Sequence, residues 1–233
     1  MELEIVEVEP SVEVFEIFRN VFKGAFAMDY SIERFRWTYL SKYSQGSKIL
    51  LIRSGSRVLG VRGLWKLRGL NSYQLIDTCV LPEARGQGLF AHSNIYISSN
   101  YSVYNLPNRM SRPGYLRDGW VIASRIGIVP LPIKHILPQF YEYDYLVWRF
   151  VQCPDRQYFI KKHGSCYSIL AIKRGLIPVL IARTKHNLNL PYYYGPVLLG
   201  YSTGKRKYLK TTGMILCNDN EIEKYHPIYF DMI

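Results

Sequence analysis

No stretch of this 233-residue chain approaches the roughly 20 consecutive apolar residues that a membrane-crossing helix needs, so no membrane span is expected. Cysteine is scarce. Cys79, Cys153, Cys166 and Cys217 stand far apart with no CxxC pair, which leaves no zinc or redox spacing and makes free thiols and no metal the expectation. The phosphate-loop pattern GxxxxGK[ST] is absent, and the spacing of the glycines differs from the GxGxxG of a dinucleotide turn. Acidic residues are few: 18 Asp and Glu against 30 Lys and Arg give a net charge of +12 and a pI near 9.5. That balance favours anionic partners and disfavours cationic substrates, which want an acidic pocket. The opening "MELEIVEVEP" is acidic and alternating rather than basic and then apolar, so the expectation is a chain without a leader, working in a reducing cytoplasm.

What is present describes a folded protein. Hydrophobic residues make up 48% and charged residues 21%, enough to bury a substantial core. "ELEIVEV" alternates as a half-buried strand does. Two helices are expected over "SVEVFEIFRNVFK" and "DYSIERFRWTYLSKY", the latter with a stripe of Ile32, Phe35, Trp37 and Leu40. "KILLIRSGSRVLGVRGLWKL" reads as a hairpin about Ser54–Gly55–Ser56, and "SYQLIDTCVL" as a central strand. A helix "FAHSNIYISSN", a strand "YSVYNLP", a short helix "MSRPGYLRDG" and a strand "WVIASRIGIVPLP" follow. The proline- and aromatic-rich "PLPIKHILPQFYEYDY" reads as a crossover. Beyond it strands are expected at "QYFIKKHG", "CYSILAIKRG", "IPVLIARTK" and "TTGMILCN", with a closing strand at Ile228 and Phe230. The expected fold is a mixed α/β sheet over residues 1–150, with a β-rich region over 151–233 that packs on it and selects the acceptor.

The most informative stretch is "VLPEARGQGLF", Val80 to Phe90, where proline ends an apolar strand and two glycines precede a helix. Gly86 and Gly88 let the backbone approach a ligand and take positive φ. Consecutive N–H groups then face outward, backed by the positive end of the helix, with Arg85 at the rim. Such a turn suits a pyrophosphate. On the glycines alone, an ordinary strand-to-helix turn stays open.

A second feature lies about 20 residues on, in "LPNRMSRPGYLRDGW". Asn108, Ser111 and Tyr115 are followed by Gly119 and Trp120, with Asn108 seven residues before Tyr115 and Tyr115 four before Gly119. Together with "V-x-P-E-x-R-G-x-G" at Val80 to Gly88, this resembles the GCN5-related N-acetyltransferase superfamily, in its branch acting on sugars and other metabolites. The resemblance covers residues 1 to about 126. It departs at Phe90, where the family carries glycine or alanine, and at Pro113, inside the tyrosine-bearing helix.

The resemblance implies transfer of an acetyl group from acetyl-CoA to an amine. Main-chain groups of Cys79 and Val80 would then pair with the pantetheine arm, and Arg85, Gly86, Gln87, Gly88, Leu89 and Phe90 would take the pyrophosphate. Asn108 and Ser111 would lie beside the cofactor. Tyr115 is the candidate proton donor to the leaving thiolate, against packing on the cofactor or capping its helix. Asp77 on the central strand is the candidate base, against an ion pair with an arginine such as Arg62. Asn105 and His92 are weaker candidates for holding substrate, since asparagine at a strand end is commonly a turn residue and His92 suits a helix surface.

The expected acceptor is a phosphate-bearing small amine, best matched by a nucleotide-linked amino sugar for surface polysaccharide, with the chain's many tyrosines offering faces to sugar rings. Another small amine or an antibiotic is the competing enzyme reading. An acyl-CoA sensor and a nucleic-acid-binding module are the non-enzyme readings, the latter without any RNP-like, KH or zinc signature. A homo-oligomer stays open.

Overall fold

The computed structural model describes residues 2–66, 72–130, 142–173, 177–197, 199–203 and 210–218. The basic run from Gly204, the segment after Pro130 and the closing strand expected at Ile228 and Phe230 lie outside them, wholly or in large part. The chain forms two compact units, Met1–Ile122 with Leu216–Ile222, and Ala123–Ile215 with Glu223–Ile233.

In the first unit the alternating opening becomes β1 (Glu4–Val8). The Ser11 hydroxyl accepts the Val14 N–H at 3.2 Å and starts α1 (Val12–Phe26), and Ser31 does the same for Arg34 at 3.1 Å ahead of α2 (Ile32–Tyr39). Gly55, at φ +58°, turns β2 (Lys48–Ser54) into β3 (Arg57–Lys66). β1, β2, β3 and β4 (Tyr73–Val80) pair antiparallel in that order. α3 (Leu89–Asn100) then returns the chain so that β5 (Val103–Asn105) runs parallel to β4. Leu216 and Cys217, the end of β11 (Lys210–Cys217), pair antiparallel with β5.

The two-residue period of the strands sorts the core. Ile49, Leu51, Val61 and Cys79 meet Phe15, Phe18 and Phe35 of α1 and α2 on one face. Leu50, Leu64 and Leu75 meet Ile97 of α3 and Tyr115 of α4 (Arg112–Arg117) on the other. Each such fully buried side chain contributes about 1.5–3 kcal/mol over leaving it in water. Pro113 falls in the first turn of α4, where its missing N–H costs no intrahelical bond. α2 stops at Tyr39, and Leu40, expected on its apolar stripe, is 38% exposed.

The second unit is also built on paired strands. β6 (Val121–Pro130) pairs antiparallel with β10 (Leu199–Thr203), and β10 runs parallel to β9 (Ile177–Thr184). β9, β8 (Cys166–Lys173) and β7 (Tyr158–His163) form antiparallel hairpins. Two elements here are absent from the sequence reading: β10, and α5 (Tyr143–Leu146), which continues as a π-helical turn over Val147–Val151. The run "EYDYLVWRFV" is rich in β-favouring aromatics, yet it coils so that Leu146 and Phe150 reach Ile160, Ile169 and Leu188. Tertiary burial overrides local preference there. No helix among the described residues is long and apolar enough to cross a membrane.

Cys79 is 3% exposed, and burial first, then the Asp77 charge, push its thiol up to about 12. A raised value keeps the thiol protonated through neutral pH, so Cys79 is expected to escape iodoacetamide at pH 8 until denaturant is added. Mass spectrometry of labelled peptides checks this; prompt native labelling of Cys79 would contradict the packing described.

Candidate functional site

Strands β3 and β4 fall out of step at one point. Val61 pairs with Cys79 and Gly63 with Ile76, so Asp77 and Thr78 together stand opposite the single residue Arg62. This is a β-bulge, a feature that bends and twists the strand carrying it. Asp77 adopts φ +49°, a left-handed conformation that costs a non-glycine residue about 1–2 kcal/mol. On the far edge, β4 pairs with β5 only over Tyr73–Leu75. From Ile76 to Val80 that edge has no strand partner among the described residues, and β5 ends at Asn105, shortly before Pro107.

The open edge leads into the glycine turn. A short 3-10 helix, Pro82–Ala84, follows the strand, and Ala84 and Leu89 anchor the turn against Ile52 and Leu59. Gly86 and Gly88 take φ +77° and +79°, and a Cβ at either would meet nothing within 4 Å. The main-chain N–H groups from Gly86 to Ala91 have no acceptor among the described residues. Arg85 is exposed at the rim, but its guanidinium donates to the carbonyls of Val80 at 3.3 Å and Ala25 at 2.7 Å. It therefore fastens the turn to the strand end and to α1. The Gln87 amide donates to the Glu83 carbonyl at 2.7 Å. Phe90 turns inward: its ring would lie 2.8 Å from a Cβ at Gly114 and sits edge-on to Tyr115 at 4.9 Å. Its side chain fills the space beside α4, and its N–H alone faces the turn's exterior.

Behind the turn lies a buried polar cluster. Arg62, 0% exposed, crosses from β3 to the helices: Nη1 donates to Ser93 Oγ at 2.7 Å and Asn94 Oδ1 at 2.6 Å, and Nη2 donates to the Tyr115 hydroxyl at 2.6 Å. The guanidinium lies over the Phe90 and Tyr115 rings at 5.1 and 5.6 Å. Its Nε has no partner among the described residues. Burial pulls the guanidinium below its ordinary value, with Tyr115 and then Asp118 opposing the shift. Asp118 is linked to it through the Asn94 amide, which donates to Oδ2 at 2.6 Å. Tyr115 is 1% exposed, between Phe90 and Trp120.

The opposite face carries the Asp77 carboxylate. Oδ2 accepts from Tyr30 at 2.8 Å and Tyr39 at 2.9 Å, and Oδ1 lies 3.5 Å from Arg34. Burial, then the Asp77 charge, push both phenols well above their ordinary values. The ion-pair partner is thus Arg34 on α2, and Arg62 serves the other face.

The remaining candidates separate. Asn108 Oδ1 accepts the Met110 and Ser111 N–H groups, each at 2.9 Å, and the Ser111 hydroxyl at 3.1 Å, a side-chain turn that starts α4. Asn105 is 8% exposed and accepts the Leu106 N–H at 2.6 Å at the end of β5. His92 lies exposed on α3. Cys79 points into the α1–α2 core, and Val80 ends the open edge. Sequence reasoning missed Tyr30, Tyr39 and Arg34 around Asp77, and Ser93 and Asn94 around Arg62. The one available signal was α3 itself, whose inward face places Ser93 and Asn94 where a packed helix ordinarily presents apolar groups.

No protein-family model matches the chain, and no curated protein matches it. Among solved structures, a conserved protein from Enterococcus faecalis, a candidate N-acyltransferase, is similar with a TM-score of 0.53 at 9% identity, over 93% of this chain and 72% of that one. An acyl-CoA N-acyltransferase from Pseudomonas aeruginosa is similar over 54% of this chain and 90% of its own, with a TM-score of 0.42 and 12% identity. A candidate acetyltransferase from Pyrococcus horikoshii gives 0.42 and 11% over 55% of this chain. The chain spans about half the length of that protein, 52%. The chain thus shares the fold of the Enterococcus protein, a mixed α/β architecture with a mostly antiparallel sheet flanked by helices.

A Cβ at Gly63 would fall 1.9 Å from the Tyr39 hydroxyl. Gly63→Ala is therefore expected to displace the donor that Asp77 uses and to lower stability by about 1–3 kcal/mol. Urea unfolding checks this; an unchanged midpoint would mean that Tyr39 is not held as described.

Proposed function

We propose that this protein is an acyl-CoA-dependent N-acetyltransferase acting on the amine of a small, phosphate-bearing metabolite in the cytoplasm. One observation carries the reading: the unpaired edge of β4 from Ile76 to Val80 runs directly into a turn whose N–H groups, Gly86 to Ala91, have no acceptor among the described residues. An extended amide-bearing arm needs main-chain partners along its length, and a pyrophosphate needs clustered donors at the positive end of a helix. The two lie in the order that acyl-CoA presents them. The GNAT-type fold supports the same reading.

In this mechanism the strand edge and the turn hold the thioester beside the amine, which makes a bimolecular step effectively unimolecular. The amine nitrogen bonds to the thioester carbonyl carbon, the carbon–sulfur bond breaks, and the nitrogen's proton passes to Asp77, directly or through water. Tyr115 gives its phenolic proton to the departing sulfur. Cys79 and Val80 supply main-chain partners, and Asn108 and Ser111 shape the start of α4 beside them. Asn105 and His92 stay as candidates for acceptor contact. The acceptor we favour is a nucleotide-linked amino sugar, because its diphosphate suits a chain of net charge +12. A region beyond residue 150 would supply selectivity.

A binding-only reading draws on a different observation: Tyr115 is 1% exposed and both Asp77 oxygens have partners. Thiol release from acetyl-CoA during a screen of nucleotide-linked amino sugars, aminoglycosides and polyamines separates the two.

Gly88→Asp tests the cradle. Aspartate tolerates left-handed backbone and can cap α3, so the helix should persist while a carboxylate occupies the anion's place. CoA affinity by calorimetry is expected to fall at least about tenfold, roughly 1.4 kcal/mol, with an unchanged circular dichroism spectrum. An unaltered Kd would refute the cradle.

A further inference from the structure

We propose that Arg62 is a positioning residue for the proton donor, fixing the Tyr115 hydroxyl and neutralising the charge left when that hydroxyl gives up its proton. The inference rests on the acetyltransferase reading and deepens it.

Arg62 is fully buried and makes no ion pair among the described residues. A buried cation without a carboxylate against it is expensive, commonly several kcal/mol after relaxation. Structural need alone accounts poorly for it, because an apolar side chain between Leu50, Leu64 and Phe90 would pack without that cost. What the position offers is register. Arg62 stands opposite the bulge at Asp77–Thr78, at the level where β4 parts from β5, and it reaches Tyr115 from there. The hydrogen bond uses the phenol oxygen as acceptor, so the phenolic proton stays available; it has no acceptor among the described residues.

The other end of the guanidinium is held rigidly. The Ser93 hydroxyl donates a hydrogen bond to the Phe90 carbonyl at 2.9 Å, and Asn94 is held in turn by Asp118. The charged groups around the pair are Arg62 from β3 and Asp118 from the end of α4, with Arg117 on Asp118 at 3.1 Å; α3 contributes neutral Ser93 and Asn94.

In the step itself, the carbon–sulfur electron pair leaves on sulfur, the Tyr115 proton moves to that sulfur to give free thiol, and the phenolate faces the Arg62 guanidinium. The phenolate regains a proton from solvent before the next turnover. The amine's proton is lost separately, so charge and atoms balance.

The test is a double-mutant cycle with acetyl-CoA as donor and hydroxylamine as a surrogate acceptor, read as thiol release above the uncatalysed background. Tyr115→Phe is expected to lower kcat about a hundredfold, the low end for a positioned proton donor. Arg62→Met should lower kcat at least about tenfold while the Kd for CoA stays within about twofold, and adding Arg62→Met to Tyr115→Phe should cost nothing more, because Arg62 acts only through that hydroxyl. Arg62→Lys, the variant that keeps the charge if Arg62→Met does not fold, should restore most of the rate when combined with an intact Tyr115. Independent, additive losses, or Arg62→Lys and Arg62→Met both at the wild-type rate, overturn the inference and leave the acetyltransferase reading standing. A wild-type protein that neither binds CoA nor releases thiol overturns both.

Discussion

The parting of β4 from β5 beyond Leu75 is the constraint on which the first unit's arrangement depends. A strand in the middle of a sheet ordinarily has both edges satisfied, because an unpaired buried N–H or carbonyl costs about as much as a lost hydrogen bond. Here one edge is left open over Ile76 to Val80, and the opening begins where the bulge sets two residues against one. The bulge turns Asp77 into left-handed backbone and directs its carboxylate toward α1 and α2. The same irregularity sets Arg62 on the other face. Two polar clusters thus flank a single point in the sheet, and the glycine turn continues from it.

The clusters are satisfied in different ways. Asp77 is a half-buried anion supplied with donors: two phenols and a guanidinium, all from the α2 region, so its charge is locally compensated. Arg62 is a buried cation surrounded by neutral acceptors and aromatic faces, with its nearest carboxylate one amide away. α3 accepts polar residues on its inner face to make this possible, which is why its amphipathic pattern is weak for a helix that packs on a sheet. Phe90 closes the cluster from above by wedging against Gly114 and Tyr115.

The turn owes its openness to what surrounds it. Ala84 and Leu89 are pinned in a small apolar cluster, and Arg85 ties the segment to α1. The glycines between them are therefore held in place while their N–H groups stay exposed. Arg85 serves as a clamp, and the positive potential at the turn comes from the helix end and the main chain as much as from any side chain.

The helices and strands up to β6, the helix start at Ser11, the hairpin at Gly55 and the left-handed glycines at 86 and 88 were legible in the sequence, because each depends on periodicity or backbone freedom within a few residues. The sequence also carried the spacing of Asn108, Ser111 and Tyr115. α5 and β10 were not legible there, because burial in a separate core outweighs local preference. Which arginine meets which partner is set by packing between elements distant in the chain. Arg34 and Arg62 are both cations ahead of strand β4 in the chain, and nothing local says that the first reaches Asp77 and the second Tyr115. That choice follows from the bulge, a one-residue slip between strands that reverses which face a side chain occupies, and a slip in register leaves no trace in composition.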